Sequence, residues 1–485
     1  NAIKLARAEA ESAFGSGELI LERAIIRPRH VEIQVFADMH GNTIHLGERD
    51  CSVQRRHQKV IEEAPCPIMT TELRDRMGRA AVDAARSVNY CGAGTVEFLL
   101  DENGEFYFLE MNTRLQVEHP VTEMITGLDL VELQIQVAQN QPLNLSQEDI
   151  ILSGHAIEVR LYTEDPSQDF LPMAGSIKLW APAQGVGVRI DSGISSDQDI
   201  SPYYDPMVAK VIASGSTREE ARTRLIKALK ETVLFGVKNN KEFLVNCLEK
   251  DRFKAGLATT AFIAEEFGDT PIVDAVPSFS DCAVAALLSL ELEYRLHCSR
   301  SVSAPPLLRS WASASPLVSR RQYGFDEVIH DLFVTAAGTN KYRVTNGELS
   351  VEIELLSMSA ADAQVVIDGH MQLVHWQEPA SGELHMSIEG RSAHYRDLIC
   401  REGTVEETSA GDRITAPMHG LLLDILVKSG DSVGKGQTLA VLEAMKLHHE
   451  ILATEAGTVT EVLAEPGTQV PADSLLITID VNSTP

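Results

Sequence analysis

At 485 residues the chain is too long for one ordinary core, and about 150 residues per domain implies about three domains. Apolar residues make up 44% and charged residues 23%, which excludes a disordered chain and leaves enough apolar surface for sizeable cores. A net charge of −28 excludes a general affinity for nucleic acid or anionic membrane, while leaving room for a local basic pocket.

The longest apolar stretch, Cys282 to Leu290, falls far short of the roughly 20 residues that cross a bilayer, and no signal-peptide pattern opens the sequence. An interior compartment is expected, the cytoplasm or, in a eukaryote, the mitochondrial matrix. The seven cysteines, Cys51, Cys66, Cys91, Cys247, Cys282, Cys298 and Cys400, stand singly without a CxxC pair, and read as reduced packing residues.

In chain order, Ile3 to Phe14 has helical composition and Gly15 to Gly17 supply a stop. A mixed α/β region follows to about Phe267. Alternation predicts strands over His30 to Phe36 and Thr95 to Leu100, and composition predicts a helix over Arg218 to Thr232. After a break at Ala275 to Ser278, Asp281 to Leu296 is apolar on every side in its first half, as suits a helix wrapped by other structure. From Phe325 to Leu398 short alternating runs surround Asn346-Gly347 and Asp368-Gly369, both hairpin-turn signals, so an antiparallel barrel around that helix is expected. Glu406 to Asp412 reads as a polar linker.

The last segment repeats with an offset of 37 positions. Ala416 maps to Ala453, Gly420 to Gly457, Leu426 to Leu463, Gly430 to Gly467, Val433 to Val470 and Leu439 to Leu476. Two such strand-rich halves can bury each other's apolar faces as a flattened sandwich. Ala444-Met445-Lys446 is the seam between the halves, where a lysine projects from a hairpin tip. Glu443-Ala444-Met445-Lys446 within this repeat resembles the attachment site of biotinyl carrier domains, over Ile414 to Asp480. That resemblance implies biotin on Lys446. A lipoyl carrier shares the repeat but has Asp before its lysine, and the family more often has Met where Leu447 stands here.

Upstream, Glu97-Phe98 is followed by Glu110-Met111-Asn112-Thr113-Arg114-Leu115-Gln116-Val117-Glu118-His119-Pro120. Acidic residues on adjacent strands can present hard oxygens to magnesium, and period-two spacing puts Glu110, Asn112 and Arg114 on one side of an extended segment. A charged solvent face would give similar spacing. Together with Arg29-His30-Val31-Glu32, the run Glu48 to Lys59 and Glu62-Glu63-Ala64-Pro65, the string closely resembles the biotin carboxylase component, an ATP-grasp enzyme, from residue 1 to about 267.

The resemblance implies Glu97, Glu110 and Asn112 at magnesium, with manganese as an alternative, and Glu22, His30, Gln54 and His57 lining ATP. It implies Lys59, Arg114, Gln116 and Val117 around bicarbonate, Glu118 as general base, and Arg160 near the biotin ureido oxygen. Lys59, Arg114, Glu118 and Arg160 form the implied catalytic set. The family's glycine-rich lid and upstream lysines have no counterpart in this sequence, so an N-terminally incomplete biotin carboxylase is expected, with residues 1–24 as the tail of the lid subdomain. The implied organisation continues with residues 25–267 as the C-terminal ATP-grasp part, 268–405 as a helix-in-barrel linking domain and 413–482 as the carrier.

The middle section resembles the linking domain of the α subunits of propionyl-, methylcrotonyl- and geranyl-CoA carboxylases. The expected function is ATP-dependent carboxylation of biotin, in a hetero-oligomer with a carboxyltransferase β subunit that holds the acyl-CoA. Methylcrotonyl- or geranyl-CoA is placed ahead of propionyl-CoA, and a biotin ligase is the modifying partner. The competing reading is a non-catalytic biotin carrier or scaffold. Docking of the β subunit is expected on the section from Ala275 to Cys400, with Arg320 and Arg321 in an irregular stretch from Trp311 to Glu327 as the contact.

Overall fold

The computed structural model describes residues 15–21, 23–268, 276–301, 315–325, 328–380, 382–399, 413–416, 420–444, 447–470 and 474–480, with a few single residues besides. Glu22, Lys446, the linker 406–412 and most of 302–314 lie outside the described residues. The chain divides into two compact units, residues 1–153 with 255–266 and residues 154–254 with 267–485.

The first unit is built on five antiparallel strands in the order β3-β2-β1-β4-β5: β1 Arg29–Ala37, β2 Thr43–Arg55, β3 Gln58–Ala64, β4 Gly92–Leu100 and β5 Phe106–Asn112. All nine residues of β1 are buried, so the strand is covered on both faces. Its alternation sorts them by face. Val31, Ile33 and Val35 pack with Val96 and Phe98 of β4 against Met77, Ala81 and Ala85 of helix α1, Thr71–Ser87. Each of the Val, Ile, Phe and Met side chains contributes about 1.5–3 kcal/mol of burial. Thr70 caps α1 by accepting from the Leu73 amide at 3.2 Å. His30, Glu32 and Gln34 therefore point to the opposite face, beneath helix α2, His119–Thr126.

In the second unit, β6 His155–Tyr162, β7 Val188–Ser192 and β8 Met207–Gly215 pair antiparallel in the order β7-β8-β6, and α3, Arg218–Glu231, covers them. Helix α4 follows at Lys241–Glu249 and α5 at Phe279–Arg300. Ser278 and Asp281 form a capping box at the start of α5, and Cys282 through Leu288 are completely shielded.

Eight strands surround that apolar turn as a sequential meander: β9 Val318–Phe325, β10 Val328–Gly338, β11 Lys341–Thr345, β12 Ser350–Met358, β13 Asp362–Ile367, β14 His370–Gln377, β15 Glu383–Ile388 and β16 Arg391–Arg396. A Tyr323–Asp397 bridge and the Leu398 amide on the Gln322 carbonyl at 2.8 Å bring the two edges together into a nearly closed barrel. Val334, Ile353, Trp376 and Met386 pack on the helix. The Asp368-Gly369 turn is a two-residue hairpin with φ of 51° and 81°, which links Ile367 to its register partner His370.

The structure corrects one expectation here. Arg320 and Arg321 lie in regular strand β9, not in an irregular stretch, because the alternating pattern begins at Val318. Arg321 is buried and pairs with Glu293 of α5 and with Asp397, while exposed Arg320 forks onto Asp331 with both bonds at 2.8 Å.

The carrier segment is two four-stranded sheets, and the 37-residue repeat governs its hydrogen bonds. Leu426 donates to Leu439 at 2.8 Å and Leu463 to Leu476 at 2.8 Å. Ala453 donates to Gln437 and Ala416 to Ser474, each at 2.9 Å. Between the halves the relation is reciprocal: Gly430 donates to Val459 and Gly467 to Leu422. Leu422 and Leu439 of one half and Val459 and Leu476 of the other share one core. Strand Thr438–Ala444 pairs with Leu447–Leu452, Ala444 opposite Leu447, so the two residues between those register partners are Met445 and Lys446.

Candidate active site

Strand register assembles the site. On the α2 side of the sheet, Arg49 of β2 stands opposite Glu32 of β1, Glu32 opposite Glu97 of β4, and Glu97 opposite Glu110 of β5. One row across four strands thus carries a cation and three carboxylates. Like charges directly opposite destabilise a sheet unless something answers them.

Lys59 answers the first pair. Its ammonium, from β3, lies 2.5 Å from Glu32, 2.9 Å from Glu97 and 2.5 Å from Glu118. Desolvation alone lowers the lysine pKa, but Glu32, Glu118 and Glu97 together hold it well above the ordinary range. Burial pushes the Glu97 carboxyl up, yet the hydrogen bond from His30, the Lys59 charge and the Gln116 amide bring it down to about 2. Glu32 behaves alike: burial raises it, while Arg49 and Lys59 outweigh that and bring it down to about 2.

Glu118 is the residue before α2 and only 1% exposed, so its carboxylate is aimed into the pocket at Lys59. Gln116 donates to Glu97 at 2.7 Å, and Asn112 donates to both Glu97 and Glu110 at 3.1 Å. Arg114 is exposed, its guanidinium donating to the Asn112 side-chain oxygen at 3.4 Å. His30 lies 2.8 Å from Glu97, and Gln54 lies 3.3 Å from the other His30 nitrogen. His57 is exposed in the two-residue turn between β2 and β3, and Val117 is half-buried beside Gln116.

Hydrogen bonds and ion pairs thus bring His30, Gln54, Lys59, Glu97, Glu110, Asn112, Arg114, Gln116 and Glu118 together, whereas His57 is at an exposed turn and Glu22 lies outside the described residues. Arg160 lies in the second unit on β6, opposite Lys210 of β8. Two members were not assigned from sequence. Glu32 fixes Lys59, and Arg49, with no solvent exposure, donates to Glu32 at 2.5 Å, Gln34 at 2.8 Å, Thr122 at 3.0 Å, Thr95 at 3.3 Å and Gln116 at 3.4 Å.

Could the row hold a divalent cation? His30, Glu32 and Glu97 approach closely enough to do so, although Arg49 and Lys59 pair with Glu32, and Lys59 with Glu97. The adjacent Glu97 and exposed Glu110, bridged by the Asn112 amide, offer a second set of hard carboxylate oxygens of the kind that suits magnesium or manganese.

Three family models match the chain: "Carbamoyl-phosphate synthase L chain, ATP binding domain" over residues 1–146, "Biotin carboxylase C-terminal domain" over 158–265, and "Biotin-requiring enzyme" over 412–479. The mitochondrial methylcrotonoyl-CoA carboxylase subunit alpha of Arabidopsis thaliana is 37% identical, covering 98% of this chain and 70% of that protein. The human mitochondrial propionyl-CoA carboxylase alpha chain is 38% identical, covering 98% and 67%. The chain belongs to the α-subunit family of biotin-dependent acyl-CoA carboxylases.

Solved biotin carboxylase structures match just over half of the chain. The Campylobacter jejuni biotin carboxylase in complex with an ATP analogue superposes with a TM-score of 0.53 at 44% identity, over 55% of this chain. The biotin carboxylase domain of Hydrogenobacter thermophilus 2-oxoglutarate carboxylase, solved with MgADP and bicarbonate, gives 0.53 at 45% identity over 54%. The chain spans 59% and 58% of the length of those two structures. Among the described residues no helix is long and apolar enough to cross a membrane.

Proposed function

We propose that the chain carboxylates biotin carried on its own Lys446, using bicarbonate and ATP, as the α subunit of an acyl-CoA carboxylase whose β subunit transfers the carboxyl group. The observation that carries this reading is the Lys59 ammonium, 2.5 Å from Glu118 and 2.9 Å from Glu97, beside the Glu97–Glu110 pair. A small planar anion entering there meets the Lys59 cation and the exposed Arg114 fork, with a carboxylate base adjacent.

In this reading Glu118 removes the bicarbonate proton. A bicarbonate oxygen attacks the γ-phosphorus of ATP, and ADP leaves with the electrons of the broken P–O bond. The carboxyphosphate so formed breaks into carbon dioxide and phosphate, phosphate takes the N1 proton of biotin, and N1 attacks carbon dioxide. Lys59 and Arg114 hold the anion and offset charge as it spreads. Gln116 and Asn112 keep the Glu97 carboxylate oriented, and His30 with Gln54 lines the nucleotide side. Magnesium, held by Glu97 and Glu110, supplies charge neutralisation to the phosphates when bound.

Residues 25–267 provide this chemistry, 268–405 link it to the carrier, and 413–482 carry biotin after modification by a biotin ligase. The names of the curated relatives favour methylcrotonyl- or propionyl-CoA as acceptor and a mitochondrial location in a eukaryote. The test is ATP cleavage by the chain purified with its β subunit. Cleavage that requires both bicarbonate and biotin, with streptavidin signal lost in Lys446→Ala, is the expected result. A biotinylated complex without bicarbonate-dependent cleavage would instead support a carrier alone, and signal surviving Lys446→Ala would overturn the attachment site.

A further inference from the structure

Away from the catalytic row, in the second unit, a cavity of about 420 Å³ lies where α4 and the strand before it meet barrel strands β15 and β16. Phe235, Phe243, Phe325 and Ala393 form its apolar walls, and Lys241 and Ser392 stand at a polar end. Lys241 is only 4% exposed. Its ammonium donates to the Thr232 carbonyl at 3.0 Å and to the Ser392 hydroxyl at 3.3 Å, and both acceptors are neutral. Ser392 passes its own hydrogen to Ser387 at 3.1 Å.

Among the described residues no carboxylate lies within ion-pair distance of Lys241. The Thr232 carbonyl, at the C-terminal end of α3, offers only a partial negative charge. Burying an ammonium without a counter-charge is strongly unfavourable. Burial accordingly lowers the Lys241 pKa to about 8, with neighbouring Glu242 acting weakly the other way. The second lysine of the cavity wall, Lys238, is already committed to Asp165 at 2.8 Å. His385 and His394 stack at 4.3 Å, and burial followed by its neighbour's charge pushes His385 down to about 4, so that ring is neutral.

We propose that this cavity binds a small carboxylate with a short apolar tail, whose carboxylate becomes the counter-ion of Lys241. The tail lies against the phenylalanine walls. One uncommitted cation matches one negative charge, and a phosphate dianion would leave its second charge unanswered among those walls. Because Lys241 spans from α4 to Ser392 on the barrel, an occupied cavity braces that junction.

The site stands apart from the catalytic reading, and its test does not use turnover. Butyrate is titrated against the full chain by saturation-transfer NMR, with butyramide and inorganic phosphate as parallel probes. Butyrate is expected to bind, butyramide to fail to displace it, and Lys241→Met to weaken it about tenfold or more, the usual loss for a charge-assisted hydrogen bond. Lys241→Arg retains a cation and keeps binding, while Ala393→Leu fills the cavity and abolishes it without touching the lysine. No butyrate signal up to about 10 mM would overturn the proposal, since weaker association is not specific recognition. So would equal binding by Lys241→Met or Ala393→Leu, or phosphate binding as tightly as butyrate.

Discussion

Arg49 and Glu32, directly opposite on β2 and β1, form an ion pair of 2.5 Å with neither side chain exposed to solvent. Arg49 donates to Gln116 at 3.4 Å, and its charge also acts on Glu118. Its strongest link to the site is Glu32, whose second oxygen holds Lys59 at 2.5 Å. Arg49→Lys keeps the charge but lacks the fork that reaches five acceptors, so it is expected to raise the bicarbonate KM more than it lowers kcat. Glu32→Gln leaves Arg49 buried and half-paired, and removing one partner of such a pair costs about 3–5 kcal/mol. Urea titration of the first unit measures that loss. An unchanged midpoint together with an unchanged KM would contradict the positioning role.

Glu118 is assigned as the base. Glu118→Gln retains the shape of the side chain and a hydrogen bond to Lys59 but cannot accept the bicarbonate proton. Bicarbonate-dependent ATP cleavage in the complex is expected to fall about a hundredfold or more, the scale of a lost general base. Nucleotide binding, measured by fluorescence of a labelled ATP analogue, should stay near the wild-type value.

Two carboxylates of the site contribute to the acid stability of the first unit. Glu97 and Glu32 are each lowered from 4.5 to about 2, so the unfolded chain binds protons more readily than the folded one across that interval. Their stabilisation is fully present above pH 4.5 and is lost as pH falls toward 2. The urea midpoint should therefore drop steeply between those values, and Glu97→Gln should flatten the drop while lowering the midpoint at neutral pH. A midpoint indifferent to pH in that window would show that the folded state does not hold these groups ionised.

Several features were legible in the sequence for physical reasons. The 37-residue repeat was visible because each half must present the same apolar face to the other, and the helix of α5 because a turn without a polar face has to be wrapped. Period-two spacing put Glu110, Asn112 and Arg114 on one side of a strand, a pattern a charged solvent face shares, and it was the resemblance of the longer string that implied Glu97, Glu110 and Asn112 as a metal site. Glu32 and Arg49 were not legible, because a charged residue in an alternating strand reads as solvent-facing, and only the cover on both faces of β1 turns it into a buried ion pair. Lys241 was hidden likewise: at the start of a short helix it reads as a surface lysine until the barrel closes over it.

The same distinction separates Arg320 from Arg321, neighbours in β9 that the alternation sends to opposite faces. Arg320 and Asp331 are both largely solvated, with side-chain exposures of 53% and 37%, and an exposed pair contributes about 0–1 kcal/mol. Arg321 is shielded to 8%, pairs with Glu293 and lies 3.5 Å from Asp397, itself shielded to 3% where the barrel edges meet. Arg321→Met removes the buried cation beside Asp397 and should destabilise the barrel by more than about 1 kcal/mol, whereas Arg320→Met should change it by less than about 1 kcal/mol. Tryptophan fluorescence of Trp376, packed in the barrel core, reports the transition. Any loss of β-subunit copurification in Arg321→Met should track this unfolding and vanish at low temperature, while loss in Arg320→Met with a stable barrel would restore the exposed arginine as a contact. Equal and small stability changes in both variants would show that the buried pair does not hold the barrel closed.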